Sequence, residues 1–208
     1  MELRSLCKWN LQFFLRASSI RNFLWNHDLR FSPNVSNLER MVSQEILLAI
    51  DPSLRGTGLA VLQRESGKVR CLHFDVIKNS PKLTIAGCLL EIHARLHETI
   101  NQFHPSAMAV ESVIYVQSFQ TAITLGSARG AVLLAAAQKG LPIYEYAPRR
   151  VKQAVVGRGA AQKSQVAFMV RSLLGLTVTP PADAADAIAV GITHFQSPLK
   201  TSGFPHSL

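Results

Sequence analysis

The alternation of apolar and polar positions from residue 46 onward predicts five β-strands. The run "ILLAID" is short, apolar and ends in an aspartate, as is typical of a central strand. The segment "PSLRGTG" follows, and its residues Gly56 and Gly58 indicate a turn. The stretches "LAVLQRE" and "VRCLHFDVI" predict the second and third strands, and "SGK" joins them in a hairpin. Two later runs, "SAMAVE" and "LPIYEYA", predict the fourth and fifth strands.

Helical spacing of apolar residues predicts the elements between and after these strands. It runs from Leu83 to Ile100, and Pro81 is suited to the first turn of that helix. A helix rich in small residues follows from about Phe119 to Lys139 and ends at Gly140. Three more helices are predicted, from about Arg149, from Gln162 to Leu174 and from about Ala182 to Phe195. The order βββαβαβα indicates an α/β domain with a mixed five-stranded sheet flanked by helices.

Residues 1–40 follow no such period, although they are dense in aromatic side chains and carry six basic against three acidic residues. They fit a targeting peptide, an arm that binds DNA or a membrane surface, or an upstream extension with Met41 as the true start. We favour the extension, disordered or from a misplaced start, because a strand begins within a few residues of Met41. The expected division is therefore 1–40 as extension, 41–198 as one folded domain and 199–208 as a tail.

Composition narrows the class of protein. A chain of 208 residues can bury the core of one domain, and no apolar run approaches the ~20 residues of a membrane span. The net charge of +9 favours polyanionic partners such as nucleic acid. Three distant cysteines without CxxC spacing indicate neither a disulfide framework nor a zinc site. We therefore expect a cytoplasmic protein that does not bind a membrane.

Four acidic residues stand at the ends of predicted elements. Asp51 ends the first strand and Glu111 ends the fourth, while Asp183 and Asp186 open the last helix on one helical face. Each has a plain structural explanation alone: a turn for Asp51, an ion pair for Glu111, a helix N-cap for Asp183 and the helix dipole for Asp186.

Together the four acids point to catalysis. In this topology the first strand is central and the fourth lies beside it in parallel, so Asp51 and Glu111 leave the sheet side by side. The last helix would then deliver two more carboxylates to the same place. Four anions repel one another unless cations neutralise them, and oxygen ligands suit Mg²⁺ or Mn²⁺. Two such ions ~4 Å apart activate water in phosphodiester hydrolysis.

Several ordered motifs resemble the Holliday-junction resolvases of the bacterial RuvC family. They span residues 46–194 and read "ILLAIDPSLRGTGLAVLQ", "AVESV", "TLGSARGAVLLAAA", "LPIYEYAPRRVKQAVVGRGAAQKSQV" and "PPADAADAIAVGITH". The resemblance implies a ribonuclease-H-like fold and a Mg²⁺-dependent homodimer with two ions per active site. It also implies paired, symmetrical nicking of four-way DNA junctions in recombination and repair, beside the RuvA–RuvB branch-migration complex. The family's catalytic and metal-binding acids map onto Asp51, Glu111, Asp183 and Asp186.

Two other functions compete with this one. The first is a ribonuclease-H-like nuclease for another nucleic acid, such as an RNA–DNA hybrid or structured RNA. The second is a protein that holds DNA without cutting it. The presence of all four acids argues against the second, and the extended match argues against the first.

The segment "RRVKQAVVGRGAAQKSQ" is basic and contains no acid, so we expect it to bind DNA phosphates. Its cations are Arg149, Arg150, Lys152, Arg158 and Lys163, and the resemblance points particularly to Lys152 and Lys163. Ser127 and Arg129 either contact phosphate or serve helix packing. The family usually has an aromatic residue three positions after the glutamate, where this chain has Ile114. Tyr115 could stack on junction bases instead, or Ile114 acts as an apolar wedge.

The helix "TAITLGSARGAVLLAAAQK" carries more small apolar residues than one buried face needs. Its excess apolar surface fits either a twofold mate, which would place two active sites for paired nicks, or a wholly internal helix.

Overall fold

The five strands form one mixed sheet in a computed structural model that describes residues 44–113 and 118–197. The strands are β1 (Gln44–Asp51), β2 (Gly56–Glu65), β3 (Lys68–Lys78), β4 (Ala107–Glu111) and β5 (Ile143–Tyr146). Their spatial order is β3-β2-β1-β4-β5, with β1 antiparallel to β2 and parallel to β4. The predicted central position of β1 and its parallel pairing with β4 are therefore confirmed.

Five helices cover the sheet in the described residues. They are α1 (Ile85–Phe103), α2 (Phe119–Gln138), α3 (Pro148–Val156), α4 (Lys163–Leu174) and α5 (Ala182–Gln196). None of the helices in the described ranges is long and apolar enough to cross a membrane.

The apolar residues of β1 pack into two hydrophobic cores, one on each face of the sheet. Leu47 and Ala49 pack on one side of the sheet, in a cluster that includes residues of α3, α4 and α5. Leu48 and Ile50 pack on the other side against α1 and α2. Because successive strand residues point to opposite faces, a strand covered on both sides needs apolar residues at every position. This explains why "ILLAI" shows no alternation.

Two local predictions are corrected. Helix α1 begins at Ile85, and Thr84 caps it by accepting a hydrogen bond from the Gly87 N–H at 3.1 Å, so Pro81 lies in the preceding turn. The N-cap of α5 is Pro181, which places Asp183 inside the first turn rather than at the cap. The carboxylate of Asp183 is therefore not used to close the end of its own helix.

The predicted hairpin is present, and the two cysteines in the described residues are free thiols. Ser66 and Gly67 have φ of 49° and 78°, as in the type I′ turn that suits a two-residue hairpin. Cys88 is fully buried, and burial raises the pKa of Cys71 to about 11, which keeps that thiol protonated. The predicted extension over 1–40, the tail over 199–208, Ile114 and Tyr115 lie outside the described residues.

Candidate active site

Two carboxylates leave the sheet together at the end of β1 and β4. Ile50 of β1 pairs with Val110 of β4, so Asp51 and Glu111 occupy adjacent positions at the same sheet edge. Both line a cavity of about 370 Å³, together with Pro52, Ser112, Val113, Leu125, Pro148 and Arg149. The parallel pairing thus produces the juxtaposition that the sequence predicts.

Burial and mutual repulsion oppose the ionisation of this pair. The pKa of Asp51 is raised to about 6, mainly by burial and secondly by the negative charge of Asp186. Burial, and then the charge of Asp51, raise the pKa of Glu111 to about 8. A hydrogen bond between the two carboxyl groups raises the pKa of Glu111 further and lowers that of Asp51. Near neutral pH, Glu111 therefore holds a proton unless additional positive charge reaches the site.

Two glycines bring the start of α5 onto β2. A Cβ at Gly58 would lie 1.9 Å from the carbonyl oxygen of Asp183, and a Cβ at Gly56 would lie 3.0 Å from its Oδ2. At Gly58, where the nearest atom belongs to the backbone, only a residue without a side chain leaves room for this approach. The sequence analysis treats these glycines as turn residues, but both lie in β2 and form the surface on which α5 begins. Their Gly-x-Gly spacing within a strand was the available signal.

Lys163 joins the acidic cluster from the first position of α4. Its Nζ lies 2.9 Å from Oδ2 of Asp186 and 3.8 Å from Oδ1 of Asp183. The hydrogen bond to Asp186 raises the pKa of the Lys163 ammonium group, and the charge of Lys163 lowers the pKa of both Asp51 and Glu111. The residue that the sequence assigns to DNA binding is thus a direct neighbour of the predicted metal ligands.

The four acids fit hard divalent cations by chemistry and charge. All their donor atoms are carboxylate oxygens, which Mg²⁺ and Mn²⁺ prefer. Burial and mutual repulsion raise the pKa values of Asp51 and Glu111, and the charge of a divalent cation would lower both. Within the described ranges, no three His, Cys, Asp or Glu side chains are already grouped around one ion position. The ammonium of Lys163 is instead the cation that the α5 carboxylates contact.

A second cavity, of about 550 Å³, adjoins the acidic one. It is lined by Pro148, Arg149, Lys152, Arg158, Gly159 and Ala160, and it shares Pro148 and Arg149 with the acidic cavity. A Cβ at Gly159 would lie 2.6 Å from Cγ of Arg149, so this glycine lets the loop pack on the arginine stem. Three of the predicted DNA-binding cations therefore line one basic depression beside the acids.

Other predicted contact residues lie elsewhere. The guanidinium of Arg150 donates to Oγ of Ser197 at 2.9 Å and stands 5.6 Å from the ring centre of Tyr146. Arg129 of α2 forms an ion pair with Glu145 of β5, and Ser127 donates to the carbonyl oxygen of Ile123 at 2.8 Å. These bonds tie Ser127 and Arg129 into the fold. Tyr115 and Ile114, the candidates for base contacts, are not among the described residues.

A mixed five-stranded sheet of this order, flanked by helices, defines the ribonuclease-H-like fold. The yeast mitochondrial Holliday junction resolvase Ydc2 shares the fold, with a TM-score of 0.51 at 14% identity over 73% of this chain and 78% of that one.

The chain belongs to the family of the crossover junction endodeoxyribonuclease RuvC, whose family model matches residues 47–194. The RuvC of Akkermansia muciniphila is 53% identical over 74% of this chain and 93% of its own length. That of Photorhabdus laumondii is 44% identical over 72% and 86%. The structure titled "T. thermophilus RuvC in complex with Holliday junction substrate" is 41% identical, with a TM-score of 0.67 over 72% of this chain and 92% of that one.

Family membership confirms the predicted fold and the predicted function of a Holliday-junction resolvase, an endonuclease that hydrolyses DNA. It favours this function over the alternative of a nuclease for RNA–DNA hybrids or structured RNA. The family is one of metal-dependent nucleases.

Proposed function

We propose that this chain cuts four-way DNA junctions as a homodimer, by paired symmetrical nicks, with Asp51, Glu111, Asp183 and Asp186 as the metal-binding and catalytic residues. The observation that carries the proposal is the convergence of two half-buried strand-end carboxylates with the acidic first turn of α5. The ions we expect are two Mg²⁺ per site, with Mn²⁺ as a substitute. Bound there, such ions supply a water of lowered pKa and stabilise the charge that develops on the phosphodiester.

The residues of the chain do three things in this mechanism. Asp51 and Glu111 provide oxygen ligands from a rigid sheet edge, and their burial keeps bulk water from screening the charge. Asp183 and Asp186 add ligands from α5, whose position is fixed by the glycines of β2. Glu111 must release its proton for the site to fill, because its raised pKa leaves it protonated near neutral pH when no cation is bound.

The cut strand is proposed to run from the acidic cavity into the basic cavity over Arg149, which lines both. Phosphates next to the scissile one would lie against Lys152 and Arg158. Together with Arg149 these residues give the basic cavity three positive charges, and no acid is among its lining residues. Lys163 and Arg150 do not line this cavity and remain proposed DNA contacts. Tyr115 also remains a proposed contact. The two cavities adjoin each other, and successive phosphates of a DNA strand are only one nucleotide apart. A strand bound in the acidic cavity can therefore reach the basic cavity, which supports this path.

The dimer is proposed to form through an apolar stripe on α1 and α2. Phe119, Ile123, Leu90 and Leu134 are large apolar residues with 91%, 70%, 70% and 54% of their surface exposed. Between them lie Gly126 and Gly130, where an added Cβ would meet no atom within 4 Å.

Glycine inside a helix costs about 1 kcal/mol of stability relative to alanine. In the described part of this chain, no packing contact requires a glycine at position 126 or 130. Close approach by a helix of a second copy supplies such a reason. By the family resemblance, we further propose that the dimer works in the cytoplasm with the RuvA–RuvB complex.

The activity is tested with purified protein on labelled four-way junction, linear duplex and RNA–DNA hybrid, each with and without Mg²⁺. We expect Mg²⁺-dependent nicking of the junction at symmetrical positions. Asp51→Asn and Glu111→Gln should abolish nicking and leave junction binding intact, because each change removes charge and keeps volume. Glu98→Gln, an exposed acid on α1, is the control and should cut normally. Full cleavage by either site variant would refute the assignment of these acids.

The basic cavity is tested through salt dependence. Lys152→Ala should weaken junction binding and lower the slope of log affinity against log salt by about 0.9, because one fewer phosphate contact releases one fewer counterion. Lys68→Ala, which removes an exposed lysine from β3, should leave the slope unchanged. If Lys152→Ala matches the parent in both affinity and slope, the lysine is a solvated surface charge.

A further inference from the structure

Lys163 occupies an unusual place for a residue expected to contact DNA. Its side chain is 61% exposed, yet its ammonium group reaches into the acidic cluster and donates to Asp186 at 2.9 Å, with Asp183 at 3.8 Å. Among the described residues, every ion pair made by the four acids involves this lysine. Lys163 is therefore the internal counter-ion of the cluster.

This contact competes with a divalent cation for the same oxygen atoms. A carboxylate oxygen that accepts a hydrogen bond from an ammonium group at 2.9 Å is not free to ligate a metal ion in the same direction. A single positive charge also compensates only part of the negative charge of a cluster of four carboxylates, and the ammonium group contacts only the two from α5. A doubly charged ion would compensate more, but it must first displace Lys163.

The position of Lys163 gives it a second partner. It begins α4, directly after the loop that contributes Arg158, Gly159 and Ala160 to the basic cavity. Its long, flexible and mostly exposed side chain can swing from the carboxylates to a DNA phosphate without any movement of the backbone. A DNA phosphate and the acidic cluster are both anionic, so the ammonium group stays charged in either place.

We propose that Lys163 is an exchangeable counter-ion that couples DNA binding to metal binding: it neutralises Asp183 and Asp186 in the DNA-free protein, and transfers to a backbone phosphate when the junction binds. The inference rests on the proposed function of the four acids. In the free protein the lysine lowers metal affinity, and in the complex its departure uncovers two ligands. Linkage requires that metal and DNA then raise each other's affinity by the same factor. The full metal site would thus form where a substrate is present.

The test measures metal binding rather than cleavage. Mn²⁺ binding is followed by electron paramagnetic resonance for the parent, Lys163→Met and Lys68→Met, each alone and with a four-way junction. The junction carries 3′-methylene phosphonate linkages at the crossover, which keep their charge and resist hydrolysis. Methionine keeps the length of the lysine stem and removes the charge, and Lys68→Met controls for the loss of one positive charge elsewhere.

Without DNA, Lys163→Met should bind Mn²⁺ about tenfold more tightly than the parent, within the 5–150-fold range usual for coupled sites. Lys68→Met should bind like the parent. The junction should raise the Mn²⁺ affinity of the parent by a larger factor than that of Lys163→Met. Unchanged or weaker Mn²⁺ binding by DNA-free Lys163→Met would overturn the proposal. Lys163→Gln, with thermal unfolding of each variant, excludes a folding defect as the cause.

A further variant separates this proposal from the one on which it rests. Asp51→Asn should lower Mn²⁺ affinity whatever Lys163 does. If Asp51→Asn binds Mn²⁺ like the parent, the assignment of the metal site fails. If Asp51→Asn binds weakly and Lys163→Met binds like the parent, only the counter-ion role of Lys163 fails.

Discussion

At the scale of the residue, the acids of this site oppose the stability of the fold that carries them. Two half-buried carboxyl groups lie together at a sheet edge, and one ammonium group from α4 compensates only part of the negative charge of the cluster. Desolvation and repulsion both disfavour the ionised pair. A divalent cation bound by these carboxylates would offset their repulsion, so the repulsion that opposes folding would favour metal binding.

This repulsion predicts a pH-dependent gain of stability in Glu111→Gln. The pKa of Glu111 rises from its ordinary value of 4.5 to about 8 in the folded protein, so folding takes up a proton between these values. The stability of the metal-free parent therefore falls as the pH rises from about 4.5 through about 8. Glutamine removes this titration, and the variant should exceed the parent at pH 8.5 by about 1 kcal/mol or more, which is about 2–4 °C in Tm.

The measurement is thermal unfolding in EDTA at pH 4.5 and pH 8.5. The difference in Tm between Glu111→Gln and the parent should be larger at the higher pH. Glu98→Gln removes an exposed acid and should show no such change. A difference in Tm that is the same at both pH values would mean that Glu111 ionises in the folded protein as it does in the unfolded chain.

At the scale of the element, the contact between β2 and α5 positions the carboxylates of α5 that we propose to be catalytic. Gly58 lies under the backbone of Asp183, and a Cβ at Gly191 farther along α5 would lie 2.6 Å from Cδ1 of Leu62. The helix therefore lies closer to the sheet than side chains on both surfaces would permit. The direction of α5, and with it the place of Asp183, follows from these missing side chains.

Gly58→Ala should disturb this contact strongly, because the added methyl group would meet a backbone carbonyl oxygen at 1.9 Å rather than a side chain that can rotate away. We expect a loss of about 1–3 kcal/mol in stability from overpacking. We also expect about a 100-fold loss of junction cleavage, since a shift of about 1 Å at a catalytic group can have that effect.

Gly56→Ala is the matched comparison two residues away. Its methyl group would meet Oδ2 of Asp183 at 3.0 Å, and that carboxylate can rotate away. It should therefore lose less stability than Gly58→Ala in chemical denaturation. Parent-like stability and cleavage in Gly58→Ala would show that α5 can lift from the sheet without cost.

At the scale of the whole molecule, the parts that could be predicted are those that local pattern and strand order determine. Apolar runs and helical spacing indicate the five strands and five helices, and the parallel pairing of β1 with β4 then brings Asp51 beside Glu111. The contact of Lys163 with Asp186 could not be predicted, because it depends on where the loop after α3 places the start of α4. The Gly-x-Gly spacing indicates a strand surface without side chains, but it does not say which element packs there, so the contact of Gly58 with α5 could not be predicted either.

The apolar stripe on α1 and α2 that we propose to face a second copy belongs to this scale as well, and it leads to the last prediction. Gly130→Leu should separate the dimer, because leucine would fill the space beside Leu90 and Leu134 that we assign to the partner helix. The folded protomer should tolerate the change, since a Cβ at Gly130 meets no atom within 4 Å. We expect the dimer dissociation constant in sedimentation velocity to rise at least about tenfold, a loss of about 1.4 kcal/mol. Junction products should shift from paired to single nicks, because two active sites would no longer be held together.

Lys68→Leu adds the same side chain on β3 and should remain dimeric. If Gly130→Leu also stays dimeric and still makes paired nicks, the twofold contact does not involve the stripe on α1 and α2.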